Sequence, residues 1–188
     1  MSFKLLRFLD FSLAVMGLLV LWPVLLLIYV IGLLDTGEPL LRQERVGRNL
    51  RPFVLVKFRT MRLGTACVAS HLASSAAITP IGAVLRRTKL DELPQLWNVL
   101  WGDMSLVGPR PGLFIQQELI QARAAHGVYL ARPGITGLAQ VNGIDMSTPE
   151  FLAQTDAHML KELNALAYFK YILLTITGKG AGDRVNLK

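Results

Sequence analysis

Cysteine is almost absent from this chain: Cys67 is the only one in 188 residues. No intramolecular disulfide can form, and no cysteine-based zinc site can be assembled. A lone thiol accords with a reducing cytosol. Histidine is nearly as scarce, and His71, His126 and His158 lie too far apart for the spacing of a metal-ligating set. Neither a Gly-x-Gly-x-x-Gly pattern nor a P-loop occurs, which argues against a dinucleotide- or ATP-dependent enzyme. Acidic residues are few, 13 against 20 Lys and Arg, so the net charge is +7. No internal repeat is visible.

What is present is apolar mass. Hydrophobic residues make up 52% of the chain and the mean hydropathy is +0.42, above the usual share of a soluble domain. The length suits one domain with a real core rather than two of ordinary size. Much of the apolar excess lies in Phe11 to Leu34, 24 positions without a charge, long enough to cross a hydrocarbon core of about 30 Å as a helix. The run is too long for a signal-peptide core and has no small-x-small cleavage site behind it.

Two features distinguish a straight span from a bent one. Pro23 sits at the centre of the run, where it removes a backbone hydrogen bond and favours a break. Lys4 and Arg7 precede the run, and after it the stretch from Arg42 to Arg62 holds seven basic residues (Arg42, Arg45, Arg48, Arg51, Lys57, Arg59 and Arg62) against one acid, Glu44. A straight span would carry positive charge across whichever way it inserted. A helix-break-helix that enters and leaves on one side satisfies both facts, while the run's length alone allows a simple span. The basic cluster suits anionic lipid headgroups at about 1 kcal/mol per residue near the surface. No recognisable module for nucleic acid accompanies it.

Beyond a turn at Asp35 to Pro39, Leu40 to Val46 and Phe53 to Phe58 read as a hairpin. It would deliver Lys57 and Arg59 to one place. Gly64 to Ile78 has no apolar period and reads as a loop. Thr79-Pro80 opens a helix to about Arg87, with Thr as cap and Pro at the first position. A helix from Pro94 carries Leu96, Trp97, Val99, Leu100 and Trp101 toward a core or a membrane interface. Ser147-Thr148-Pro149-Glu150 has the form of a capping box, with a helix to about Leu163. The last helix, Ala165 to Thr177, reads as buried by default, and its aromatics and Lys170 fit the headgroup plane as well.

The most informative segment runs from Arg86 to Pro111. Pro94 places Asp91 and Glu92 at or just before a helix N-terminus, where the dipole favours an ionised carboxylate. Such a carboxylate can serve as nucleophile or metal ligand. Arg86, Arg87 and Lys89 lie just upstream, and Pro109 and Pro111 fix the backbone around Arg110, lowering the entropy of presenting its planar fork to an oxyanion. Taken alone, an acidic pair before a helix is usually a cap.

The whole segment, however, resembles the signature of the monotopic phosphoglycosyl transferases, a family of bacterial sugar transferases. Gln43-Glu44-Arg45-Val46-Gly47, Lys57-Phe58-Arg59-Thr60-Met61 and the stretch Arg132-Pro133-Gly134-Ile135-Thr136-Gly137-Leu138-Ala139-Gln140-Val141-Asn142-Gly143 fit the same family. The resemblance covers residues 43 to 143; Trp22 departs from the serine the family usually has before the membrane proline. It implies a mainly α fold with a small β-hairpin, a re-entrant membrane helix over residues 1–38, and a catalytic domain over 39–188 at the cytoplasmic face of the bacterial inner membrane. It also implies transfer of a sugar 1-phosphate from a UDP-sugar to polyprenyl phosphate, such as undecaprenyl phosphate. In that scheme Asp91 is the nucleophile and releases UMP, Glu92 supports metal binding or proton management, and Mg²⁺ is held by Asp91 and Glu92. Arg86, Arg110, Lys57, Arg59, Pro109 and Pro111 belong to the phosphate-binding region. A nucleotide-sugar hydrolase using the same acids, and a non-catalytic membrane anchor, are the alternatives.

Overall fold

Helix α1 (Phe3–Thr36) takes up 34 residues and sets the layout of the molecule. The computed structural model describes residues 3–65 and 75–178. Cys67 and His71, with most of the expected loop, lie outside them. The helical assignment of α1 continues through Pro23, so the expected break is not an unwound segment. One face of α1 is buried against the rest of the chain through Ala14 and Ile28, with Leu18, Val24 and Leu25 packed beside these cores. The other face leaves Phe8, Phe11, Leu19, Val20, Trp22 and Leu34 exposed. A helix apolar on every side is suited to hydrocarbon.

The hairpin forms where the sequence places it. β1 (Leu40–Val46) pairs antiparallel with β2 (Pro52–Phe58), Leu41 facing Lys57 and Arg45 facing Phe53. β2 begins one residue earlier than expected. β1 covers only one edge of β2. On the other edge the buried Asn98 side chain donates from Nδ2 to the Val54 carbonyl at 2.7 Å and accepts from the Val56 N–H at 3.0 Å. An amide with one donor and one acceptor thus replaces a missing strand, meeting the requirement that buried main-chain groups be paired.

Asn98 belongs to α3 (Gln95–Trp101), so this contact fixes α3 against the hairpin. Before it, α2 (Pro80–Thr88) is capped by Thr79, whose hydroxyl accepts from the Gly82 N–H and donates to Asp35 of α1. Gly82 lets α2 approach the Thr60 carbonyl: a Cβ there would lie 2.1 Å from that oxygen. Lys89 ends α2 in the left-handed region, φ 58°, and a single 3-10 turn over Leu90–Glu92 leads to Pro94, which is the N-cap of α3 rather than its first residue. Trp97 and Trp101 remain exposed on α3, their ring centres 6.1 Å apart.

Two strands and two helices were not foreseen. β3 (Ser105–Val107) and β4 (Gly134–Thr136) form a parallel pair, and α4 (Gln117–Ala125) separates them. The short α5 (Leu138–Val141) follows β4, and α6 (Pro149–Glu162) and α7 (Ala165–Ile176) complete the order. The capping box does not form. Thr148 is the N-cap without a side-chain bond, Ser147 bonds to Asp145, and Glu150 instead takes His126 at 2.8 Å. α7 is not the buried helix expected by default: Tyr168 alone is buried, while Leu166, Phe169, Leu173 and Ile176 are exposed.

Candidate active site

Asp91 and Glu92 occupy the single turn between α2 and α3, and both are buried, at 3% and 8% exposure. The strained backbone of Lys89 directs this turn; a non-glycine residue in that region costs about 1–2 kcal/mol and is retained where the surroundings enforce it. Glu92 accepts from Arg110 Nη2 at 2.9 Å. Together with Arg45, Leu55, Lys57, Gln95, Pro111, Gly134 and Ile135, these two residues line a cavity of about 20 Å³. That volume holds about one water, far less than a ligand pocket of about 300–1,000 Å³. Burial pushes the Lys89 amine below its usual range, with Glu92 opposing the shift and Arg110 reinforcing it.

The Pro-Arg-Pro loop is held from many directions. Its backbone enters from β3, where Gly108 and Gly134 touch so closely that a Cβ on Gly134 would lie 2.0 Å from the Gly108 nitrogen. Every carbonyl from Gly108 to Gly112 accepts a hydrogen bond. The donors are Gln140 Nε2 to Gly108 at 3.1 Å, Gly134 N to Pro109 at 2.8 Å and Arg123 Nη1 to Arg110 at 2.7 Å. Arg45 Nη1 reaches Pro111 at 3.1 Å and Val46 N reaches Gly112 at 3.0 Å. Prolines supply no N–H of their own, so donors from β1, β4, α4 and α5 hold the loop in place.

The sequence-derived residues are therefore gathered in part. Glu92, Arg110, Lys57 and Pro111 meet at one cavity, and Asp91 neighbours Glu92 in the same turn. Pro109 is buried beside them. Arg86 is 9% exposed and donates from Nε to the Thr60 hydroxyl at 2.8 Å, while its buried Nη1 has no hydrogen-bond partner among the described residues. Arg59 was expected in the same polar region, yet its guanidinium binds Glu38, through the carbonyl and the carboxylate at 2.8 Å each. The chain turns back at Pro39, whose carbonyl takes the Arg59 N–H, and so brings Glu38 to Arg59. Sequence reasoning did not single out Arg45, Gln95 or Arg123 for the site. Arg45 sat inside a quoted motif, whereas nothing in the spacing of Arg123 and Asp156 indicates their pairing.

Among the described residues no group of three or more His, Cys, Asp or Glu forms a metal centre. Two adjacent carboxylates are nonetheless a fitting donor set for Mg²⁺, which is commonly bound through one or two carboxylates plus substrate phosphates.

Two buried acids, Asp91 and Glu92, thus lie by Lys57, Arg110 and a firmly held Pro-Arg-Pro loop in a chain that begins with a long apolar helix. The chain belongs to the bacterial sugar transferase family, whose model matches residues 1–179. It is 42% identical over 148 residues to the UDP-glucose:undecaprenyl-phosphate glucose-1-phosphate transferase of Xanthomonas campestris pv. campestris, a match covering 75% of this chain and 30% of that protein. It is 38% identical over 184 residues to the exopolysaccharide production protein PSS of Rhizobium leguminosarum bv. phaseoli, covering 92% and 90%. The Escherichia coli (strain K12) protein named as the same glucose-1-phosphate transferase is 36% identical over 179 residues, covering 89% and 38%. The chain thus spans about a third of the length of the two glucose-1-phosphate transferases and nine-tenths of PSS.

Proposed function

We propose that this protein transfers a sugar 1-phosphate from a UDP-sugar to a polyprenyl phosphate, undecaprenyl phosphate being the acceptor named for its relatives. The observation that carries the reading is the convergence of Glu92, Arg110 and Lys57 on one cavity beside Asp91. Asp91 attacks the sugar-bearing phosphorus; the bond to the UMP oxygen breaks, UMP leaves, and an aspartyl phosphosugar remains. The phosphate oxygen of the lipid then attacks the same phosphorus and frees the Asp91 carboxylate. Lys57 and Arg110 offset the negative charge of the diphosphate, without which a carboxylate would be repelled. Glu92 accepts a proton or holds Arg110 in line during the second attack. Mg²⁺ bound by Asp91 and Glu92 would supply further neutralisation of the phosphate oxygens.

The placement of α1 supports a re-entrant or interfacial topology, and the cytoplasmic face of the inner membrane is the site we propose for it. Near one end Arg7 donates to the Val99 and Leu100 carbonyls, and Asp10 accepts from Leu106 N. Near the other, Asp35 binds Thr79. Both ends are thus held by one folded unit, whereas a perpendicular span separates its ends by a hydrocarbon core of about 30 Å. The exposed apolar face of α7 extends the surface available to lipid. Docking there lets a soluble donor and a lipid acceptor meet at the interface.

The purified full chain, given a panel of UDP-sugars with Mg²⁺ and undecaprenyl phosphate, is expected to produce UMP and a lipid-linked sugar diphosphate in equal amounts. Release of free sugar phosphate into water, with no lipid product, would replace the transferase by a nucleotide-sugar hydrolase. The transferase names of the relatives disfavour that alternative.

A further inference from the structure

We infer that the buried ion pair between Arg123 of α4 and Asp156 of α6 is a positioning device for the nucleotide-sugar site, acting by fixing the main chain of Arg110. The inference rests on reading Arg110 as the residue that clamps the donor's diphosphate. Arg123 and Asp156 are 1% and 0% exposed. Arg123 places Nε and Nη2 on the same oxygen, Asp156 Oδ2, at 3.0 and 2.7 Å, which leaves Nη1 to donate to the Arg110 carbonyl at 2.7 Å. The other end of Arg110 meets Glu92. A single connected path therefore runs from α6 through α4 to the carboxylate beside Asp91.

Burying two charges is costly, and an apolar pair of similar volume commonly gives equal or better stability. Here the pair leaves Asp156 Oδ1 buried without a hydrogen-bond partner among the described residues, and burial raises the Asp156 carboxyl above its usual range although Arg123 pulls it down. An apolar pair would lack the one thing this arrangement supplies, a charged donor at the carbonyl of the residue between two prolines. Pro111 follows that carbonyl and Pro109 precedes it, so the loop offers no nearby N–H to either side. Arg123 is oriented at three nitrogens and cannot rotate away while Asp156 holds it. The geometry of the Arg110 fork is thereby set before the donor arrives, which is how binding sites reduce the ordering cost of a ligand.

Two variants separate this role from a structural one. Arg123→Lys keeps a cation beside Asp156 but cannot hold the carboxylate and the Arg110 carbonyl with the same fork. Asp156→Asn removes the charge that orients Arg123. The probe is UDP with Mg²⁺, which carries the diphosphate and has no sugar to transfer, titrated onto the full chain in detergent by calorimetry. Both variants are expected to weaken UDP binding about tenfold or more per folded molecule, with folded molecules counted by the unfolding enthalpy. In an Arg110→Ala background neither should add more than a twofold change, because the side-chain fork they position is gone although the carbonyl they hold remains. Wild-type UDP affinity in folded Arg123→Lys overturns the inference, as does an undiminished effect of either variant in the Arg110→Ala background. If Arg110→Ala itself binds UDP normally, the clamp reading of Arg110 fails along with the inference. Weak UDP binding in Arg110→Ala with normal binding in Arg123→Lys removes only the positioning role.

Discussion

Removing the carboxylate of Asp10 should loosen the hold of α1 on the rest of the fold. Asp10 is 2% exposed, and its Oδ1 accepts three hydrogen bonds: Ser105 Oγ at 2.9 Å, Leu106 N at 2.9 Å and Tyr168 Oη at 2.8 Å. One atom thus joins α1, β3 and α7. In Asp10→Ala all three donors lose their acceptor in the interior, and an orphaned buried donor costs about 1–3 kcal/mol. Allowing for partial relaxation, a loss of about 3–6 kcal/mol is expected, which at roughly 2–4 °C per kcal/mol for a chain of this size lowers the Tm by about 6–24 °C. Asp10→Asn retains one oxygen and should lose less. Tyr168→Phe removes one of the three bonds, at about 1 kcal/mol, and should cost almost nothing further in the Asp10→Ala background. Thermal unfolding in one detergent at one scan rate is the assay. A Tm for Asp10→Ala within about 1 °C of wild type would refute the reasoning, since three buried donors would then have found other partners without cost.

Three further outcomes are expected. Arg110→Lys keeps the charge but not the planar fork that reaches Glu92, so kcat/KM for the UDP-sugar should fall about tenfold or more, equivalent to about 1.4 kcal/mol; steady-state kinetics with saturating lipid acceptor checks this, and wild-type values would remove Arg110 from the site. Gly134→Ala forces a methyl group to within 2.0 Å of the Gly108 nitrogen, and overpacking against backbone should cost about 3 kcal/mol or more, seen as a lowered Tm with loss of transfer activity. A re-entrant α1 predicts that cysteines introduced at residues 2 and 188, after replacement of Cys67, are both labelled only from the cytoplasm; labelling of one end from the periplasm would establish a spanning helix.

Local chemistry made part of this structure legible and long-range pairing hid the rest. Thr79-Pro80 announces α2 because a cap and a proline act within one turn, and the Gly47 to Arg51 connection announces the hairpin for the same reason. β3 and β4 are three residues each and pair in parallel across an intervening helix, so neither has a period long enough to read. Their register depends on Gly108 meeting Gly134, which no local pattern records. The site divides in the same way. Asp91, Glu92 and Arg110 fall in one segment, and Lys57 was reached through the family resemblance of Lys57-Phe58-Arg59-Thr60-Met61. The pairing of Arg59 with Glu38 was not legible, because it is set by how the chain returns at Pro39 after α1. Arg123 and Asp156 stand 33 positions apart, and only the packing of α4 on α6 joins them. The composition of α7 allowed a buried or an interfacial helix, and the fold buries only Tyr168 while Leu166, Phe169, Leu173 and Ile176 stay exposed.

The central claim is that Asp91 carries the sugar phosphate covalently, and mass spectrometry of the enzyme without acceptor tests it most directly. With UDP-sugar and Mg²⁺ but no polyprenyl phosphate, the account predicts release of up to one equivalent of UMP and the added mass of a sugar phosphate on the peptide containing Asp91. Asp91→Asn should show neither, because an amide is a poor nucleophile, while Glu92→Gln should still form adduct and turn over slowly. UMP that appears only when polyprenyl phosphate is present, with no adduct on Asp91, would contradict the account and assign the reaction to direct transfer between the two bound substrates.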